Sequence, residues 1–147
     1  VRAPQAHPWV LLWYERGALL LAGGVLVTLL GIAAWLEPSP LGLGTHQQLG
    51  LPPCTMRFLF HVRCPSCGMT TSWSHLMNGN LLDSLRANAG GTLLGLVALA
   101  SGPWLVASAL RGRWLLGPPH ELAVLGIAAA VVIVTLVDWC LRLMMGW

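Results

Sequence analysis

Three stretches of this chain are apolar for long enough to cross a bilayer, and its polar residues are gathered between and beside them. Gly17 to Leu36 carries no charge, and a run of about 20 residues is what a helix needs to cross ~30 Å of hydrocarbon. Similar spans are predicted from about Ala89 to Leu110 and from about Glu121 to Leu143. A cleavable signal sequence matches the first run poorly. Its apolar region would be about 7–15 residues long and would end in small residues rather than Trp35-Leu36-Glu37-Pro38. Ahead of it, residues 1–16 hold Arg2, His7, Pro8, Trp9, Trp13, Tyr14, Glu15 and Arg16, an interfacial lead-in with aromatics at headgroup level. The chain begins at Val1 rather than methionine, which admits a leader upstream.

Between the first two spans the pattern changes twice. Residues 37–53 hold Pro38, Pro40, Gly42, Gly44, Gly50, Pro52 and Pro53, which predicts an interfacial loop rather than a helix. After Cys67 the period becomes helical, with Met69, Trp73, Leu76 and Met77 on one face and Cys67, Thr71, Ser74 and His75 on another. Asn78-Gly79-Asn80 ends this helix after about ten residues, too few to span, so it is predicted to lie in or dip into the interface. Leu81 to Asn88, with Asp83 and Arg86, forms a second short helical lead into the next span.

Within the spans, Gly91, Gly95, Ala98 and Gly102 form a stripe of small residues where another helix can approach closely, in the first instance within the protein's own bundle. Gly126 and Ala130 leave a second notch. Pro103 predicts a kink, and Trp104, Trp139 and Trp147 suit interfacial or packing positions. Asp138 precedes Arg142 by one helical turn, so the two are expected to pair as a structural ion pair. Cys140 reads as a small apolar residue within its span.

Composition agrees with the pattern. The chain is 56% hydrophobic and 9% charged, against roughly 25% charged residues in a soluble domain. Its eight cations are all arginine and spread along the chain, giving a net charge of +3 without the basic patch that nucleic-acid binding needs. Arg111 and Arg113 in a short loop act as an inside signal, which turns the cysteine segment outward. No paired carboxylates, nucleophile–base set or phosphate loop is present, so catalysis is not the leading expectation.

The chemistry is concentrated in Cys54 and in His61-Val62-Arg63-Cys64-Pro65-Ser66-Cys67-Gly68. Three chemistries fit this set. A dithiol at Cys64 and Cys67, set at the start of a helix where unpaired N–H groups stabilise a thiolate, suits thiol-disulfide exchange. Cys54, His61, Cys64 and Cys67 form a C-x6-H-x2-C-x2-C set suited to tetrahedral zinc, and Met56 and Met69 keep copper in view. His75 is a poorer fourth ligand, lying about 12 Å along a helix from Cys67. Gly68 stands where covalent haem attachment would require histidine. A structural disulfide from Cys54 to Cys64 or Cys67, or plain burial of the thiols, is the third.

The run Cys54-x9-Cys64-Pro65-Ser66-Cys67-Gly68-Met69-Thr70, followed by a short helix, Asn88 and a hydrophobic span, resembles a family of small bacterial membrane proteins of unknown function that share C-x9-C-P-x-C-G-x-T. The resemblance covers roughly Cys54 to Leu99. It implies a helical membrane protein whose shared site is Cys54, Cys64, Pro65, Cys67, Gly68 and Thr70, in a bacterial inner membrane. Two departures stand out: Thr71 replaces the usual arginine and Ala89 the usual proline. His61 is not part of the family pattern.

The expectation is thus an all-α integral membrane protein of one domain, residues 1–147, with spans at about 17–36, 89–110 and 121–143 and an interfacial or re-entrant cysteine segment at 54–88. Its expected role is that of an accessory protein or subunit in the lipid bilayer, docked on other membrane subunits or its own copies, with a disulfide or zinc at the thiol cluster. The alternative is a membrane thiol-disulfide oxidoreductase using Cys64 and Cys67.

Overall fold

The computed structural model describes residues 9–145, so the lead-in residues Arg2, His7 and Pro8 and the interfacial Trp147 lie outside the described residues. The fold is all-helical. Three helices are long and apolar enough to cross a membrane: α1 (Trp13–Trp35), α5 (Ala89–Arg111) and α6 (Glu121–Met144). Between α1 and α5 lie a 3-10 turn (Thr45–Leu49) and three short helices, α2 (Thr55–Phe60), α3 (Met69–Met77) and α4 (Leu81–Ala87).

α1 begins earlier than the uncharged run predicts, because its first turn makes use of its charges. Glu15 accepts the Leu12 amide at 2.8 Å, and Arg16 donates through Nε to the Ala109 carbonyl at 3.0 Å. An arginine at the carbonyl end of α5 satisfies groups the helix leaves open and opposes its dipole. α1 and α5 therefore run antiparallel, with the 9–16 and 109–114 segments at one end. α6 returns antiparallel to α5, and its C-terminal turns meet the cysteine end of the bundle. There Trp139 donates to the Arg63 carbonyl at 2.6 Å, and Arg142 donates to the Ala87 and Arg86 carbonyls at 3.1 and 3.0 Å. Asp138 and Arg142 form the expected pair, in fork geometry at 2.9 and 3.0 Å.

The small-residue stripe of α5 is consumed inside the chain. Gly91 abuts Met69, Gly95 abuts Trp73 and Leu76, and Gly102 abuts Leu26 and Val27, so α3 and α1 occupy the notch. It is not the free docking stripe that a subunit interface would use. The Gly126 notch differs: a Cβ added there would meet nothing within 4 Å outside its own helix backbone, and α6 has no buried residue. The helix continues through Pro103.

Polarity runs from the inside out. The largest fully buried side chains are hydroxyls, Thr45, Thr71, Ser72, Ser74, Ser84, Thr92 and Ser108, while Leu21, Trp35, Leu122 and Leu125 are exposed. Such a surface would collapse in water but suits lipid, where interior packing relies on small residues and hydrogen bonds. Ser72, Ser84 and Thr92 close a triangle of hydroxyl contacts at 2.8 to 3.0 Å, which ties α3, α4 and α5 together. The triangle ends on the Ser72 and Asn88 carbonyls, so each hydroxyl hydrogen has an acceptor.

Candidate metal-binding thiol site

Cys64-Pro65-Ser66-Cys67 forms a tight turn, closed by the Cys67 amide donating to the Cys64 carbonyl at 3.0 Å. Proline at its second position is preset for that geometry. Gly68 follows in the left-handed region at φ +88°, where a Cβ would lie 2.6 Å from the Ala87 carbonyl oxygen and 2.9 Å from that of Gly42. Only glycine lets the chain leave the turn and enter α3 here. The turn is tied to the bundle by Asn88, whose side-chain amide donates to the carbonyls of Pro65 (3.0 Å) and Cys67 (3.1 Å) while its Oδ1 accepts the Gly91 amide and caps α5.

Cys54 arrives from the other side as the N-cap of α2. Its Sγ lies 3.4 Å from that of Cys64, which lies 3.0 Å from that of Cys67, and all three sulfurs are within 4.8 Å of one another. The thiols are half-buried and free. They line a cavity of about 340 Å³ shared with His46, Arg57, Met69, Thr70 and Thr71. Zinc held by thiolates at about 2.3 Å sets its sulfurs roughly 3.8 Å apart, somewhat wider than the 3.4 and 3.0 Å separations here, so the three would open slightly to take it. Three ligands leave a fourth position, and the cavity is where it opens.

The sulfurs are electrostatically unequal. The Arg57 backbone amide at the start of α2, then the Cys64 thiol, hold Cys54 down at about 7. Burial, followed by the Cys64 thiol, pushes Cys67 up to about 12. This reverses the expectation for the dithiol. α3 begins at Met69, past Cys67, so the helix-start effect falls on Cys54 at the start of α2, a helix that the breaker-rich stretch before it conceals.

Of the predicted site residues, Cys54, Cys64 and Cys67 come together, Pro65 and Gly68 shape their turn, and Thr70 lines the cavity. His61 is exposed in the left-handed region at the end of α2 and is outside the group of three sulfurs. His75 lines a different cavity. Cys140 is exposed on α6. Sequence reasoning missed Asn88 as the clamp on the turn, although an asparagine just before an apolar span is a recognisable N-cap signal.

Residues 54–102 match the model of a family described as "Protein of unknown function (DUF2752)". The matched region begins at Cys54 and ends within α5, so it takes in the thiol turn, α2 to α4 and the Asn88 clamp. Comparison with curated proteins and with solved structures returns no match. Thr71 and Ala89, the two departures expected above, have structural correlates. Thr71 is fully buried and its hydroxyl meets that of Thr45 at 2.8 Å, and Ala89 is the first residue of α5, where proline is well tolerated.

Proposed function

We propose that this protein is a small integral membrane accessory protein that holds one zinc ion at the membrane boundary through the thiolates of Cys54, Cys64 and Cys67. The observation that carries it is the convergence of three sulfurs from two separate segments to within 4.8 Å, beside a cavity. Binding Zn²⁺ would release whatever protons the three thiols still carry and leave a tris-thiolate site of net charge −1, which Arg57 in the cavity lining would offset. The fourth position would take water or a donor from a partner. α6, without a buried residue and open at Gly126, is the face available to other membrane subunits or a second copy. A bacterial inner membrane is the proposed setting.

A second reading, thiol-disulfide exchange, is favoured by one contact: Cys64 and Cys67 lie 3.0 Å apart, close enough to oxidise to a disulfide when a disulfide-bearing partner is reduced. The two separate on the purified full chain by elemental analysis with thiol counting. The metal role requires about one zinc per chain, thiols protected from alkylation, and loss of zinc in Cys54→Ser. Zinc-free protein with a reducible Cys64–Cys67 bond would reject it in favour of exchange. The accessory role is tested separately in mild detergent, where a monomer without co-purifying partners would count against it.

A further inference from the structure

The end of the bundle that carries the sulfurs also gathers arginines. Arg63 from the thiol loop, Arg86 from α4 and Arg142 from α6 line one cavity of about 390 Å³, together with Asp83 and His75. Their charges are unequally answered. Arg142 is committed to Asp138 and to the carbonyls that end α4. Arg86 meets Asp83 at 3.1 Å, but both are well exposed, and a surface pair of this kind holds its partners loosely. Arg63 has no ion pair and no side-chain hydrogen bond among the described residues. His75 adds a second unanswered group, a buried Nδ1 without a hydrogen-bond partner. Even with Asp138 counted beside Asp83, the three arginines exceed the acids around the cavity by one.

We infer that this cavity binds a phosphate-bearing anion, the chemistry common to an acidic phospholipid headgroup and to free phosphate. Arginine forks match phosphate oxygens with paired N–H donors, and Arg63 has its whole fork to offer. An anion there would neutralise a cation that the protein leaves alone. The cavity lies at the ends of α4 and α6, one helical turn from Trp139, at the level where headgroups meet a span. Because the groups involved are not the sulfurs, the inference stands apart from the zinc proposal.

The test reconstitutes the full chain in phosphatidylcholine nanodiscs and follows its thermal midpoint as phosphatidylglycerol replaces part of the lipid or as inorganic phosphate is added. A rise with phosphatidylglycerol alone assigns the site to a headgroup, and a saturable rise with inorganic phosphate assigns it to the free ion. Either supports the inference when Arg63→Gln weakens the response about tenfold and Arg113→Gln, at the opposite end, does not. If neither probe moves the wild-type midpoint, or if Arg63→Gln responds as wild type does, the inference is overturned. If Arg63→Gln fails to fold, Arg86→Gln, whose side chain is well exposed at the same cavity, takes its place with the same supporting and overturning results. Zinc content measured on the same samples keeps a failure here distinct from a failure at the thiols.

Discussion

Asn88 reaches back across the fold to the Pro65 carbonyl, 3.0 Å from its side-chain nitrogen, and so couples the thiol turn to the first turn of a membrane span. The same side chain holds the Cys67 carbonyl and caps α5 through Gly91. One side chain, on a residue that is 2% exposed, thus makes three hydrogen bonds.

Asn88→Ala is expected to destabilise the fold by about 2 kcal/mol, combining a lost N-cap with two carbonyls left without a donor. Asn88→Asp separates the two effects. It keeps the cap but turns a carboxylate towards the Pro65 and Cys67 carbonyls, so it should be at least as harmful. Thermal unfolding in detergent reads both, and an Asn88→Asp variant as stable as wild type would contradict this account of the clamp.

Gly68→Ala should be far more damaging than Gly126→Ala. At residue 68 the added methyl meets two carbonyl oxygens in a left-handed backbone, a combination expected to cost about 2 kcal/mol or more. At residue 126 it meets open space. Unfolding midpoints compare the folds, and size analysis of the Gly126→Ala chain tests whether that notch is used for docking.

The sulfurs predict an unusual pH response in the metal-free protein. Cys54, held at about 7, should be roughly half thiolate at neutral pH, so its alkylation rate should fall as pH drops through 7. Because its folded value lies below the ordinary thiol value of about 8.5, its contribution to stability is complete above that value and is lost as pH falls through 7. Cys67, pushed up to about 12, has the opposite sign: the fold weakens as pH rises from about 8.5 towards 12. Residue-resolved alkylation against pH checks the order, and Cys67 reacting before Cys54 would refute it.

Ala89→Pro should be tolerated and should stabilise by about 0.4–1 kcal/mol. Residue 89 opens α5, where its amide has no helical acceptor, and Asn88 before it is already extended at φ −166°, ψ 111°. A large fall in the unfolding midpoint would show that the Ala89 amide has a role not visible in this packing.

The spans, and the grouping of the thiols just ahead of a short helix, were legible in the chain itself, because each is set by neighbours in sequence. An uncharged run long enough for hydrocarbon must close its own backbone hydrogen bonds and so becomes a helix. A Cys-Pro-Ser-Cys-Gly run turns within its own five residues. What faces what came only with the tertiary structure. In water an apolar stripe marks the inside of a helix, but in lipid both surroundings are apolar, so periodicity loses its sense of direction. For that reason the buried triangle of Ser72, Ser84 and Thr92, the capture of the α5 stripe by α1 and α3, and the meeting of Arg63 with Arg142 had no signature in the pattern. Cys54 joined the other two sulfurs already through the ligand spacing, but its special electrostatics depended on a short helix that starts just past Pro52-Pro53, where local signals point to a loop.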